Sequence, residues 1–99
     1  MMNSPQASTE AAGVRFRANP GTVAQRLGDE VVLVQINTDK IFVLNRTGAR
    51  LWELLSSGLD RADVQQRMLQ EFDVTEDRLT REVDLLVASL RDERLIDPA

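Results

Sequence analysis

The sequence predicts an α+β domain in which three helices pack on one small three-stranded antiparallel sheet. Three observations carry this. Between residues 22 and 44, short apolar runs alternate with turn residues; from Asn45 onward the apolar period lengthens from two to 3.6; and the connections are short throughout. The 99 residues, 42% of them hydrophobic and 28% charged, suit one domain with its own core and leave no room for a second.

Residues 1–20 are rich in Ser, Ala, Gln and Thr and have no apolar period, so they are read as a flexible tail ahead of a domain over 21–97. Asn19-Pro20-Gly21 is a turn signal. Thr22–Leu27 then forms a first, edge strand with Val23, Gln25 and Leu27 on one face. Gly28-Asp29 turns the chain into Glu30–Ile36, the strongest strand pattern, whose Val31, Val32, Leu33, Val34 and Ile36 are apolar on both faces. Both faces should therefore be covered. Asn37–Lys40 closes a hairpin without the favoured Asn-Gly or Asp-Gly pair. Ile41–Leu44 returns antiparallel, with Phe42 and Leu44 on one face and Ile41 and Val43 on the other.

The first helix is capped by Asn45 or Thr47, carries Leu51, Trp52, Leu54 and Leu55 as an apolar stripe, and stops at Ser56-Ser57-Gly58. Asp60 caps the second, in which Val64, Met68, Leu69 and Phe72 face the core. Thr75 caps the third, with Val74 and Leu79 as a hydrophobic staple and Glu76 and Asp77 in the first turn. Leu79, Val83, Leu86 and Leu90 form its core stripe. Val87 lies at the edge of that stripe and Leu85 well off it, so one flank is more apolar than a solvated face requires. Leu95-Ile96 is expected to pack back on the sheet.

Several function classes are excluded by composition. Without cysteine or histidine the chain has no disulfide, thiolate or imidazole metal site, cysteine nucleophile or histidine acid–base chemistry. No calcium-loop pattern, phosphate-binding glycine loop or nucleophile–base pair is present, so neither a cofactor nor a metal is expected and the protein is not read as an enzyme. A net charge of −4 opposes binding to nucleic acid phosphates or to an anionic membrane. No run of about 18 apolar residues and no signal-like N-terminus is found, which makes the cytoplasm the expected compartment.

The run Phe42-Val43-Leu44-Asn45-Arg46-Thr47-Gly48-Ala49-Arg50-Leu51-Trp52-Glu53-Leu54-Leu55 resembles the strand-to-helix signature of the PqqD-like family, also called RiPP recognition elements. The similarity continues through Glu71-Phe72-Asp73-Val74 to Arg94-Leu95-Ile96, about residues 22 to 96. The resemblance implies a winged helix-turn-helix-like domain, a peptide chaperone that binds the leader of a ribosomally made precursor peptide and presents it to modifying enzymes. The leader would lie antiparallel against the third strand, between that strand and the third helix. Carried over to this chain, the backbone of Lys40, Ile41, Phe42, Val43 and Leu44 would supply ladder hydrogen bonds. Ile41 and Val43, with Val83, Leu86, Val87 and Leu90 as helix candidates, would form pockets for alternate leader side chains. Lys40, Arg78, Arg81 and Arg91 are candidates for selecting an acidic leader. The expectation is a free-standing binding subunit; whether it serves a pyrroloquinoline quinone, lasso peptide or radical-SAM pathway stays open, as does its oligomeric state, with homodimer formation through the same edge an alternative.

The competing class is a winged-helix DNA-binding protein. Its recognition helix would have to mix Arg78, Arg81, Arg91 and Arg94 with Glu76, Asp77, Glu82, Asp84, Asp92 and Glu93, repelling phosphates as much as attracting them.

Overall fold

The computed structural model describes residues 14–99. In chain order it contains β1 (Phe16–Ala18), β2 (Thr22–Leu27), β3 (Glu30–Gln35), β4 (Lys40–Leu44), α1 (Arg46–Ser56), α2 (Arg61–Glu71), α3 (Glu76–Asp92) and β5 (Ile96–Pro98). The expected three-stranded antiparallel sheet, in the order β2-β3-β4, is followed by the expected three helices. A second, two-stranded ribbon pairs β1 with β5.

Two tight turns set the register of the main sheet. Leu27 pairs with Glu30 across Gly28-Asp29, where Gly28 has φ +62°, a conformation open to glycine and needed by a two-residue hairpin. Gln35 pairs with Lys40, and here Asp39 takes φ +59°. Aspartate is among the few side chains tolerated there, which is how this hairpin closes without Asn-Gly.

Among the described residues the helices cover one face of the sheet only. Val31, Leu33 and Gln35 point into the core, with Phe42 and Leu44 packed against it from β4. The alternate residues point the other way: Val32 and Val34 are half-buried, and Val23, Ile41 and Val43 are 54%, 67% and 60% exposed. The expectation that both faces of β3 are covered is therefore corrected. β3 is central, and its flanking strands shelter Val32 and Val34 with no helix of the described residues above them.

Gln35 is the one buried polar residue among those described, and both ends of its amide are satisfied: Nε2 donates to the Arg94 carbonyl (2.5 Å) and Oε1 accepts from Asn37 N–H (3.0 Å). Arg94 itself has φ +59° and stands where α3 ends. Leu95 N–H donates to the Leu90 carbonyl (2.8 Å) and Arg94 N–H to that of Arg91 (3.0 Å), a Schellman cap. That cap aims Leu95 and Ile96, 1% and 2% exposed, into the core. The segment then pairs with β1 and not with the main sheet: Phe16 lies opposite Pro98 and Ala18 opposite Ile96. Phe16 is 3% exposed. The tail assigned to residues 1–20 thus ends earlier, because Phe16 is part of the core; the rest of it, residues 1–13, lies outside the described residues.

All three helices start on the expected side chains. Asn45 Oδ1 accepts from Gly48 N–H (2.9 Å), Asp60 Oδ1 from Asp63 N–H (2.9 Å) and Thr75 Oγ1 from Arg78 N–H (3.3 Å), each worth about 1 kcal/mol. Trp52 is 5% exposed on the buried stripe of α1, and Met68 on α2 is fully buried. A bidentate pair from Arg50 to Glu71, through Nε (2.7 Å) and Nη2 (2.8 Å), joins α1 to the end of α2.

Candidate functional site

The open edge of β4 follows from register. A two-residue hairpin closes on a hydrogen-bonded pair, so Glu30, Val32 and Val34 bond toward β2, and Ile36 continues that series by donating to the Gly21 carbonyl (3.0 Å). Val31, Leu33 and Gln35 therefore bond toward β4, to Leu44, Phe42 and Lys40. The N–H and C=O groups of Ile41 and Val43 are left facing outward along the edge. Among the described residues no strand covers them.

The end of α3 reaches the start of β4. Lys40 Nζ lies 3.1 Å from Glu93 Oε1, which brings the start of β4 to the end of α3. Glu82, Leu86 and Ser89 share the Glu93 flank by helical spacing. The opposite flank is held by α2: Arg61 pairs with Asp84, and Gln65 Nε2 donates to Thr80 Oγ1 (2.6 Å). On β2 every residue but Thr22 is exposed, and Arg26 pairs with Glu53 of α1.

The residues singled out from the sequence separate into three groups. Phe42, Leu44 and Leu86 are half-buried, packed against the core and on the side where β4 meets α3. Val83, Val87 and Leu90, at 0%, 8% and 2% exposure, are core. Their stripe is turned down onto the sheet, so they support this flank from beneath and offer it little surface. Ile41 and Val43 belong to the outer face, and cannot share a pocket with α3 because successive strand residues point to opposite sides.

The basic candidates also divide. Lys40 is paired with Glu93 and Arg78 with Glu82 (3.5 Å), so this flank carries as many acidic as basic groups. Arg81 and Arg91 are exposed and, by helical spacing, lie on the far side of α3 from Leu86. Leu85 is 65% exposed, turned about 100° from Leu86 around the helix.

Among the described residues no group of acidic side chains could hold a metal ion, and no buried side-chain polar atom lacks a partner. No helix of the described residues is long and apolar enough to cross a membrane. The structure thus presents a small α+β domain whose outer strand, β4, is unpaired among the described residues and starts beside the end of α3.

The family model of coenzyme PQQ synthesis protein D (PqqD) matches residues 30–96, from the start of β3 to the start of β5, and the chain belongs to that family. Two solved structures share the fold. One is TbiB1 in complex with the TbiA(beta) leader peptide, with a TM-score of 0.77 and 25% identity over 82% of this chain and 94% of that one. The other is a lasso peptide synthetase B1 complexed with the leader peptide, with a TM-score of 0.76 and 27% identity over 85% and 99%. No curated protein matches the chain.

Proposed function

We propose that this chain is a RiPP recognition element: a non-catalytic, cytoplasmic adaptor that binds the leader of a precursor peptide and presents it to the enzyme that modifies it. The observation that carries the reading is the open β4 edge, where the amide groups of Ile41 and Val43 face outward beside α3. An extended peptide laid antiparallel on that edge completes the ladder, and its alternate side chains meet Phe42, Leu44 and Leu86. Both structural neighbours hold a leader peptide, which supports the same occupant here and favours a precursor of the lasso class.

Magnitudes agree with a functional complex. Burying about three leader side chains at roughly 1.5–3 kcal/mol each, against roughly 2–5 kcal/mol for ordering the peptide, leaves a margin to which ladder bonds add. After the entropy of association, an affinity near micromolar or somewhat tighter is expected. The test is a fluorescence-anisotropy titration with the labelled leader of the precursor encoded beside this gene, with a scrambled peptide and a DNA duplex as controls. Saturable binding to the leader alone supports the adaptor; binding to the duplex alone replaces it with a winged-helix DNA binder.

A further inference from the structure

The outer face of the sheet holds apolar side chains that the groove does not use. Register places them in two rows across the strands: Val23, Val34 and Ile41 in one, Gln25, Val32 and Val43 in the other. The row ends on β4, Ile41 and Val43, are 67% and 60% exposed. They are also the residues whose backbone groups face outward along the edge, so both rows stop where a further strand would continue them.

A second copy of the chain fits poorly. A six-residue, three-stranded face covers on the order of 300 Å² in projection, less than half of the roughly 800 Å² per partner that a stable complex buries. A second copy therefore gains too little here.

We infer that the leader is read on both faces of the strand it adds, with Ile41 and Val43 as the second reader. This rests on the proposal that the leader docks on β4. In an antiparallel addition, the leader residues opposite Ile41 and Val43 exchange hydrogen bonds with them and put their side chains on the outer face; those opposite Phe42 and Leu44 put theirs on the helix side. The outward pair extends the two apolar rows by one strand and shelters Ile41 and Val43 from water, a gain that only apolar, β-branched or aromatic partners return. The chemistry selected is an extended peptide apolar at both parities over four or five consecutive residues, in place of a simple alternation of apolar and polar.

Calorimetric titration of a lysine scan through the same leader tests this on the unaltered protein. Lysine should weaken binding at positions of both parities, by about twofold to fivefold for each outward position and about tenfold for the two together. The Ile41→Glu/Val43→Glu variant should then bind the peptide with two outward lysines at least as tightly as the parent protein binds the parent leader, and should not rescue lysines on the helix side. An outward parity that tolerates lysine within twofold overturns the inference while leaving strand addition standing. A parent leader that does not bind at all overturns both.

Discussion

Lys40 Nζ and Glu93 Oε1 stand 3.1 Å apart, joining the first residue of β4 to the C-cap of α3. With side chains 58% and 34% exposed, the pair contributes at most about 1 kcal/mol to stability. Its larger effect is on charge: with Arg78 held by Glu82, the flank carries balanced charge. Leader binding should therefore depend weakly on salt, changing by less than about threefold between 0.05 and 0.5 M salt. A tenfold loss over that range would restore charge selection by Lys40 and Arg78.

Proline substitutions separate the two edges of β4. Val43 has its N–H on the open side, so Val43→Pro should leave the domain folded and weaken leader binding at least tenfold. Phe42 N–H belongs to the β3 ladder, and Phe42→Pro should cost about 3 kcal/mol or more and lower the melting temperature sharply. Thermal melts beside leader titrations read both outcomes. Equal behaviour of the two variants would mean the register is misassigned.

Phe16→Ala should destabilise the protein by about 3 kcal/mol, measured by urea denaturation, because it empties a buried site between the ribbon and the helices. A loss below 0.5 kcal/mol would return β1 to the tail.

The Arg50–Glu71 pair predicts an acid limb. Hydrogen bonds from Arg50 hold the Glu71 carboxyl below the ordinary glutamate value of 4.5. A depressed folded value gives stability that is complete above the unfolded value and lost as pH falls through the lower folded one. Both side chains are about one-third exposed, so solvent screening keeps the contribution within about 1 kcal/mol. Glu71→Gln should lose up to that amount at pH 7, and the two proteins should converge in stability as pH falls below the lowered Glu71 value.

The parts of the fold legible in the sequence are those set locally. Asn45, Asp60 and Thr75 announce their helices because a cap is a contact within four residues, and Gly28 announces its turn. The ribbon was not legible, since Phe16 and Pro98 meet across nearly the whole chain and neither three-residue strand has a pattern of its own. The apolar residues of β3 gave its existence but not its cover: Val32 and Val34 are half-sheltered by neighbouring strands, which hydropathy cannot tell from a helix above them. On α3 the period found Leu79, Val83 and Leu90 but exchanged two neighbours: Val87, read at the edge of the stripe, is buried, and Leu86, read within it, is half-buried. Which flank faces β4 is set by Lys40–Glu93 and Arg61–Asp84, pairs far apart in sequence, so periodicity left open which of Val83, Leu86, Val87 and Leu90 line the groove; Val83, Val87 and Leu90 are buried and Leu86 is half-buried.

The central claim, that a leader adds as a strand to β4, is tested most directly by amide hydrogen exchange at Ile41 and Val43 with and without saturating leader. The account predicts rapid exchange at both in the free protein and at least tenfold slowing on binding, with Phe42 protected in either state. Saturable leader binding that leaves the Ile41 and Val43 amides exchanging at their free rates would contradict it.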